Sequence, residues 1–160
     1  MQERGAVAPL TARRALAYAI AVAVLVADVV TTTLAEHHLH GVSHVWGPFG
    51  LALVFNSGFA FSIFSGRALP VTVLLCIALV GLAWVVWRVR TFPQAVGGGL
   101  ILGGATGNLG ERIFGGHHGQ VPDFVTLTHW PTFNVADAGV SVGVVVLVAA
   151  LLFERPKATP

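Results

Sequence analysis

Asp123 and Asp137 stand in two dense local motifs, Val121-Pro122-Asp123-Phe124 and Phe133-Asn134-Val135-Ala136-Asp137, separated by a short loop and followed by a long apolar segment. Ionisable groups at the margin of a membrane are costly to desolvate, so two carboxylates placed there point to chemistry rather than architecture. Two acids too close to ionise together share one proton, which is the minimum equipment of an aspartic protease. The ionised member takes a proton from a water held between them, and the protonated member gives one to the scissile carbonyl oxygen. Asn134 lies three residues before Asp137; on a helix the two share a face, and the amide is placed to orient the acids or a substrate backbone. Arg112, if it reaches the pair, favours the ionised form of one acid.

The elements that must position these groups follow from composition. The 160 residues are 55% hydrophobic and only 10% charged, and the mean hydropathy of +0.79 lies outside the range of ordinary soluble domains. An integral membrane protein is expected, folded as one membrane-embedded domain over residues 1–160. Apolar runs long enough to cross about 30 Å of hydrocarbon number four, at residues 14–34, 68–87, 94–114 and 135–153. Basic residues set the orientation. Arg4, Arg13, Arg14, Arg88, Arg90, Arg155 and Lys157 fall on one side and only Arg67 and Arg112 on the other. Both termini are therefore expected in the cytoplasm, with residues 35–67 and 115–134, and both acids, facing outward. The net charge of +2 is explained by this topology and implies no nucleic-acid partner.

Arg13-Arg14, an apolar stretch and Thr33-Leu34-Ala35 also fit a cleavable secretory signal. Asp28 argues against that reading, since a signal has no use for an acid inside its apolar run, whereas an intramembrane site does. Gly99, Gly103 and Gly107 recur every four residues and share a face with Glu111, so the third span is expected to pack closely against a neighbour. Asn108 and Arg112 form a second pair near its outer end. Within residues 45–65 two short β-like stretches are expected, Leu51–Phe55 and Phe59–Phe64, about a turn at Asn56-Ser57-Gly58, lying on the membrane surface with their aromatics as anchors. Cys76 is expected to be a small buried hydrophobe.

Two other classes of function remain in view. Seven histidines (37, 38, 40, 44, 117, 118 and 129) lie outside the expected spans, so a metal-binding or metal-transport protein must be weighed. No His-Glu-x-x-His sequence is present, and only His40 with His44 has a helical ligand spacing, so no metal ligand is assigned and the histidines are expected to face solvent. A noncatalytic membrane scaffold accounts for the glycine face but leaves two acids and three asparagines unexplained.

Taken together, Asp28, Asn56-Ser-Gly-Phe-Ala-Phe-Ser62, Gly103-Gly-Ala-Thr-Gly-Asn-Leu-Gly-Glu-Arg112, Gly119-Gln-Val-Pro-Asp-Phe124 and Phe133-Asn-Val-Ala-Asp137 resemble, in order and spacing, the lipoprotein signal peptidases (signal peptidase II). The resemblance covers nearly the whole chain. It implies an all-α four-transmembrane-helix bundle with a small periplasmic β-like cradle at the membrane surface. It also implies an aspartic endopeptidase that cuts prolipoproteins before a diacylglyceryl-modified cysteine, in the bacterial cytoplasmic (inner) membrane. The partners expected are that substrate and membrane lipid, with no nucleic acid, no metal or organic cofactor, and a monomeric enzyme. By the same resemblance Asp123 and Asp137 match the catalytic dyad. Asn56, Gly58, Asn108, Arg112 and Asn134 match its substrate-binding or supporting residues, and Asp28 matches a structural aspartate of the first span. Three positions depart from the usual pattern: Thr32 stands for Lys, Glu111 for Asp, and Pro122 for an aliphatic residue.

Overall fold

The computed structural model describes residues 10–41, 43–57 and 68–153. Four helices, α1 (Leu10–His38), α2 (Ala68–Trp87), α3 (Phe92–Phe114) and α4 (Val135–Phe153), carry four short strands at one end: β1 (Ser43–Trp46), β2 (Phe49–Asn56), β3 (Val121–Leu127) and β4 (Trp130–Phe133). The expected spans recur as helices, with α1 extended at both ends and α3 beginning at Phe92 rather than Gln94. That earlier start is a matter of capping. Thr91 Oγ1 accepts from Gln94 N, while Gln94 Oε1 accepts from Arg90 N at 2.8 Å, and Pro93 occupies the first turn where no N–H is required.

The helices pack through absent side chains. A Cβ on Gly103 would stand 2.5 Å from the Ala21 carbonyl oxygen, and one on Gly99 equally close to that of Ala17, so this glycine face seats α1 against α3. A second face, unremarked in the sequence, does the same for α4: a Cβ on Gly97 would stand 2.8 Å from Leu147 N. The outward faces are apolar and bare, with Val80 74% and Val145 68% exposed. Such surfaces suit lipid rather than water. Helices α1 and α4 are long and apolar enough to cross a membrane. The fold is that of a mostly helical membrane protein with a small sheet. Cys76 also lies exposed, on α2, which corrects its expected burial. Helix α2 packs chiefly on α3.

The sheet is antiparallel in the order β1-β2-β3-β4. The hairpin between β1 and β2 turns at Gly47-Pro48, where Gly47 takes φ 61°. The expected first stretch, Leu51–Phe55, falls within β2, which ends at Asn56; the turn expected at Asn56-Ser57-Gly58 and the second stretch run into residues outside the described ones. One expectation is corrected: residues 115–134, expected as a loop, supply β3 and β4. Pro122 hides the strand from a reading of propensity. It is tolerated because β4 pairs with β3 only from Val125 onward, leaving β2 as the sole partner at the Pro122 end. Phe124, Ala35 and Leu39 are buried together and fix the sheet to the end of α1.

Candidate functional site

Asp123 sits at the start of β3, 2% exposed, beside the last residues of β2. Asn56 Nδ2 donates to its Oδ2 at 2.9 Å, and Asn134 Nδ2 donates to its Oδ1 at 3.1 Å. Asn134 is not on α4, as the shared-face expectation requires; it precedes the first helical residue and caps it. Its Oδ1 accepts from Asp137 N at 2.8 Å, and its carbonyl accepts from Ala138 N at 3.2 Å. Asn favours this position because its side chain satisfies a free helix N–H. The signal was present in Asn134-Val-Ala-Asp137 preceding an apolar run, which is a cap signature.

With Asn134 Oδ1 committed to the helix, its amide nitrogen must donate. It does so to Asp123 and to Asn108 Oδ1, 3.1 Å away, and Asn108 Nδ2 in turn donates to Asp137 Oδ1 at 2.8 Å. Asn56, Asp123, Asn134, Asn108 and Asp137 thus form one hydrogen-bonded chain drawn from β2, β3, the α4 cap, α3 and α4. The amide orientations are mutually determined along it. Arg112 Nη1 donates to the Gly119 carbonyl at 2.8 Å, and its charge acts on both aspartates. Asn108 and Arg112 lie one turn apart on α3, as their spacing requires, and hold different partners.

Asp28 lies behind this chain, fully buried on α1. Its Oδ1 accepts from Ala136 N at 2.8 Å, holding a second free N–H at the start of α4. Thr32, one turn on, is buried as well.

Burial pushes the Asp123 carboxyl up from 3.8 to about 7; the Asn56 hydrogen bond opposes this, the Asp137 charge adds to it, Arg112 opposes it and Asp28 adds to it. Asp137 sits in the first turn of α4. A buried acid that retains its proton, joined through two amides to a second acid, is suited to acid–base work on one substrate.

Both aspartates line a cavity of about 810 Å³. Asn56, Asn108 and Arg112 contribute to its polar end, and Ala78, Leu79, Leu82, Ile101, Ala105 and Val140 continue it as an apolar cleft between α2, α3 and α4. Of the residues expected at the site, Asp123, Asp137, Asn56, Asn108, Arg112 and Asn134 meet here, Asp28 supports it, and Gly58 is not described. Apart from this chain, one group among the described residues has the donor types to hold a metal: Glu36, Glu111 and His117.

Residues 20–153 match the family model of Signal peptidase (SPase) II. A lipoprotein signal peptidase of Mycolicibacterium smegmatis is 42% identical over 147 residues, spanning 88% of this chain and 63% of that protein. One of Mycobacterium leprae is 39% identical, over 88% of this chain and 73% of its own length. The chain therefore spans less than two thirds of the M. smegmatis relative and more of the M. leprae one. A solved bacterial membrane enzyme superposes with a TM-score of 0.77 at 25% identity, over 89% of this chain and 94% of that one. Another gives 0.74 at 27% identity. With the family model covering all but the ends, and relatives near 40% identity across most of its length, this chain belongs to the signal peptidase II family.

Proposed function

We propose that this protein is an aspartic endopeptidase that removes signal peptides from prolipoproteins, cutting before a diacylglyceryl-modified cysteine. Membership of the signal peptidase II family supports the substrate class. The observation that carries the mechanism is the chain Asp123–Asn134–Asn108–Asp137 at the polar end of a cleft with apolar walls.

Asp123 enters the reaction protonated and Asp137 ionised. Asp137 takes a proton from a water, the resulting hydroxide adds to the scissile carbonyl carbon, and Asp123 gives its proton to the carbonyl oxygen. In the tetrahedral intermediate the C–N bond then breaks. Asp137 passes its proton to the leaving nitrogen, and the hydroxyl on carbon returns a proton to Asp123, restoring both acids. No covalent enzyme intermediate and no cofactor takes part. Asn108 and Asn134 hold the two carboxyls in a fixed relation, so little reorganisation is needed in the transition state. The apolar cleft receives the hydrophobic portions of the substrate.

The same reading includes four transmembrane spans within a single domain over residues 1–160, both termini in the cytoplasm, and a site on the outer face of the bacterial inner membrane. The basic residues of the turn between α2 and α3 support it: Arg13 donates to the Arg90 carbonyl, and Arg14 Nε donates to the Trp87 carbonyl at 2.9 Å, gathering positive charge at the end opposite the sheet. The enzyme is taken to act as a monomer. The test is cleavage of a diacylglyceryl-cysteine peptide by purified Asp123→Asn and Asp137→Asn variants. Each is expected to lose turnover while still unfolding in a single cooperative transition, and activity retained in both would remove the acids from the reaction.

A further inference from the structure

Glu36 near the end of α1, Glu111 in the last turn of α3 and His117 in the following turn come from separate segments, and their ligand atoms all lie within 4.8 Å of one another. His117 Nε2 is 2.7 Å from Glu36 Oε1. The imidazole packs against the Phe55 ring with centroids 4.6 Å apart, which fixes the ring plane with Nε2 toward the carboxylates. Glu111 has its own fixed place. A Cβ on residue 115 would collide with its carboxylate, so Gly115 leaves the space that it fills.

We propose that Glu36, Glu111 and His117 form a Zn²⁺ site, separate from the aspartates, that joins α1 to the turn leading into β3. Charge argues for a dication. Two carboxylates face one imidazole, and the charges that act on Glu111 include Glu36 and His117, with Asp28 a further acid interacting with it. Arg112, though adjacent in sequence, is directed to Gly119 and the aspartates. A dication with two carboxylates and a neutral imidazole is electrically balanced. Donor type selects the ion: an imidazole nitrogen with two carboxylate oxygens suits zinc and not the hard, oxygen-seeking Mg²⁺ or Ca²⁺. Zinc bonds of about 2.1 Å in tetrahedral array put ligand atoms roughly 3.4 Å apart. The contact between Glu36 and His117 must open slightly and Glu111 must close. Both moves are open to side chains that are 29% and 28% exposed at Glu36 and His117. Water completes the coordination.

The ion would act on stability and not on the reaction. It anchors the 115–120 turn, whose Gly119 carbonyl already meets Arg112 and whose end enters the strand bearing Asp123. The site is independent of the proposed protease chemistry, and its failure leaves that reading untouched.

The experiment is a Zn²⁺ titration of the chelator-stripped full-length protein in detergent, read by calorimetry and thermal unfolding. One equivalent is expected to bind and raise Tm. Glu36→Gln and His117→Gln should each weaken binding at least ten-fold, and His129→Ala, outside the cluster, should not. X-ray absorption of the zinc-loaded parent is expected to show one imidazole among oxygen ligands, a readout that does not depend on the variants folding. No stoichiometric binding, unchanged affinity in His117→Gln, or two or more imidazoles on the zinc would each overturn the site.

Discussion

Replacing Asn56 by Ala separates two roles that this residue can play, because it donates to Asp123 Oδ2 at 2.9 Å and also lines the cavity. As an Asp123 partner it stabilises the ionised carboxylate, and it is the largest influence opposing the upward push of burial. A hydrogen bond to a charged group contributes about 1.5 kcal/mol at the lower end of its range, appropriate to a half-buried donor. Each 1.36 kcal/mol corresponds to one pH unit, so losing the bond moves the Asp123 titration up by about one, from about 7 to roughly 8. Turnover needs Asp123 protonated, and the alkaline limb of kcat/KM, which reports groups of the free enzyme, should move with it. At pH 8 the parent is then about 10% protonated at Asp123 and the variant about 50%, so the variant retains a roughly five-fold larger share of its own maximum. The assay is kcat/KM for a fluorogenic lipopeptide from pH 5 to 9. An alkaline limb that stays in place while KM rises would show that Asn56 serves the substrate alone and that Asp123 is not the titrating acid.

Three further outcomes follow from the same geometry. The folded carboxyl of Asp123 holds its proton up to about 7 whereas the unfolded one releases it near 3.8, so the folded state binds more protons between these values and loses stability as pH rises through that window, by up to roughly 4 kcal/mol; Asp123→Asn should flatten Tm against pH there, and an unaltered slope would refute the burial argument. Gly103→Ala drives a Cβ against the Ala21 carbonyl and should cost about 1–3 kcal/mol, while Gly110→Ala meets nothing within 4 Å and should be neutral or stabilising by up to about 1 kcal/mol, both read from thermal unfolding. Because carboxylates activate the water, EDTA should leave peptide cleavage intact well below Tm, even where stripping zinc from the Glu36 cluster lowers Tm; activity lost to EDTA and restored by zinc would transfer the chemistry to a metal.

Legibility in the sequence tracked the range of the interaction. The helices were readable because length and apolar content are local, and the face carrying Gly99, Gly103 and Gly107 was readable because its period is. Asp123 and Asp137 stood out as acids in an apolar context. The strand under Asp123 did not, since Pro122 argues against a strand and only the pairing with β2, some seventy residues earlier, overrides it. The hairpin of β1 with β2 escaped for a related reason: Gly47-Pro48 carries turn chemistry, but only the ladder between β1 and β2 makes it a hairpin. Glu36 and His117 are 81 residues apart, and no local pattern announces their meeting.

The glycine face also does more than let helices approach. A Cβ on Gly107 would stand 2.6 Å from Asp28 Oδ2, so the bare backbone there lets Asp28 pass over α3 to reach Ala136 N. That bond and the Asn134 cap hold the first turn of α4 from two sides, and Asp137 is on that turn. Asn134 also reaches Asp123, so the packing of α1 on α3 is transmitted to both carboxyls through two short polar links. Asp28 therefore belongs to the site without touching the reacting atoms. Its role depends on a glycine one helical turn beyond the last of the small residues that seat α1, which is why a motif legible as packing is also the frame of the acids.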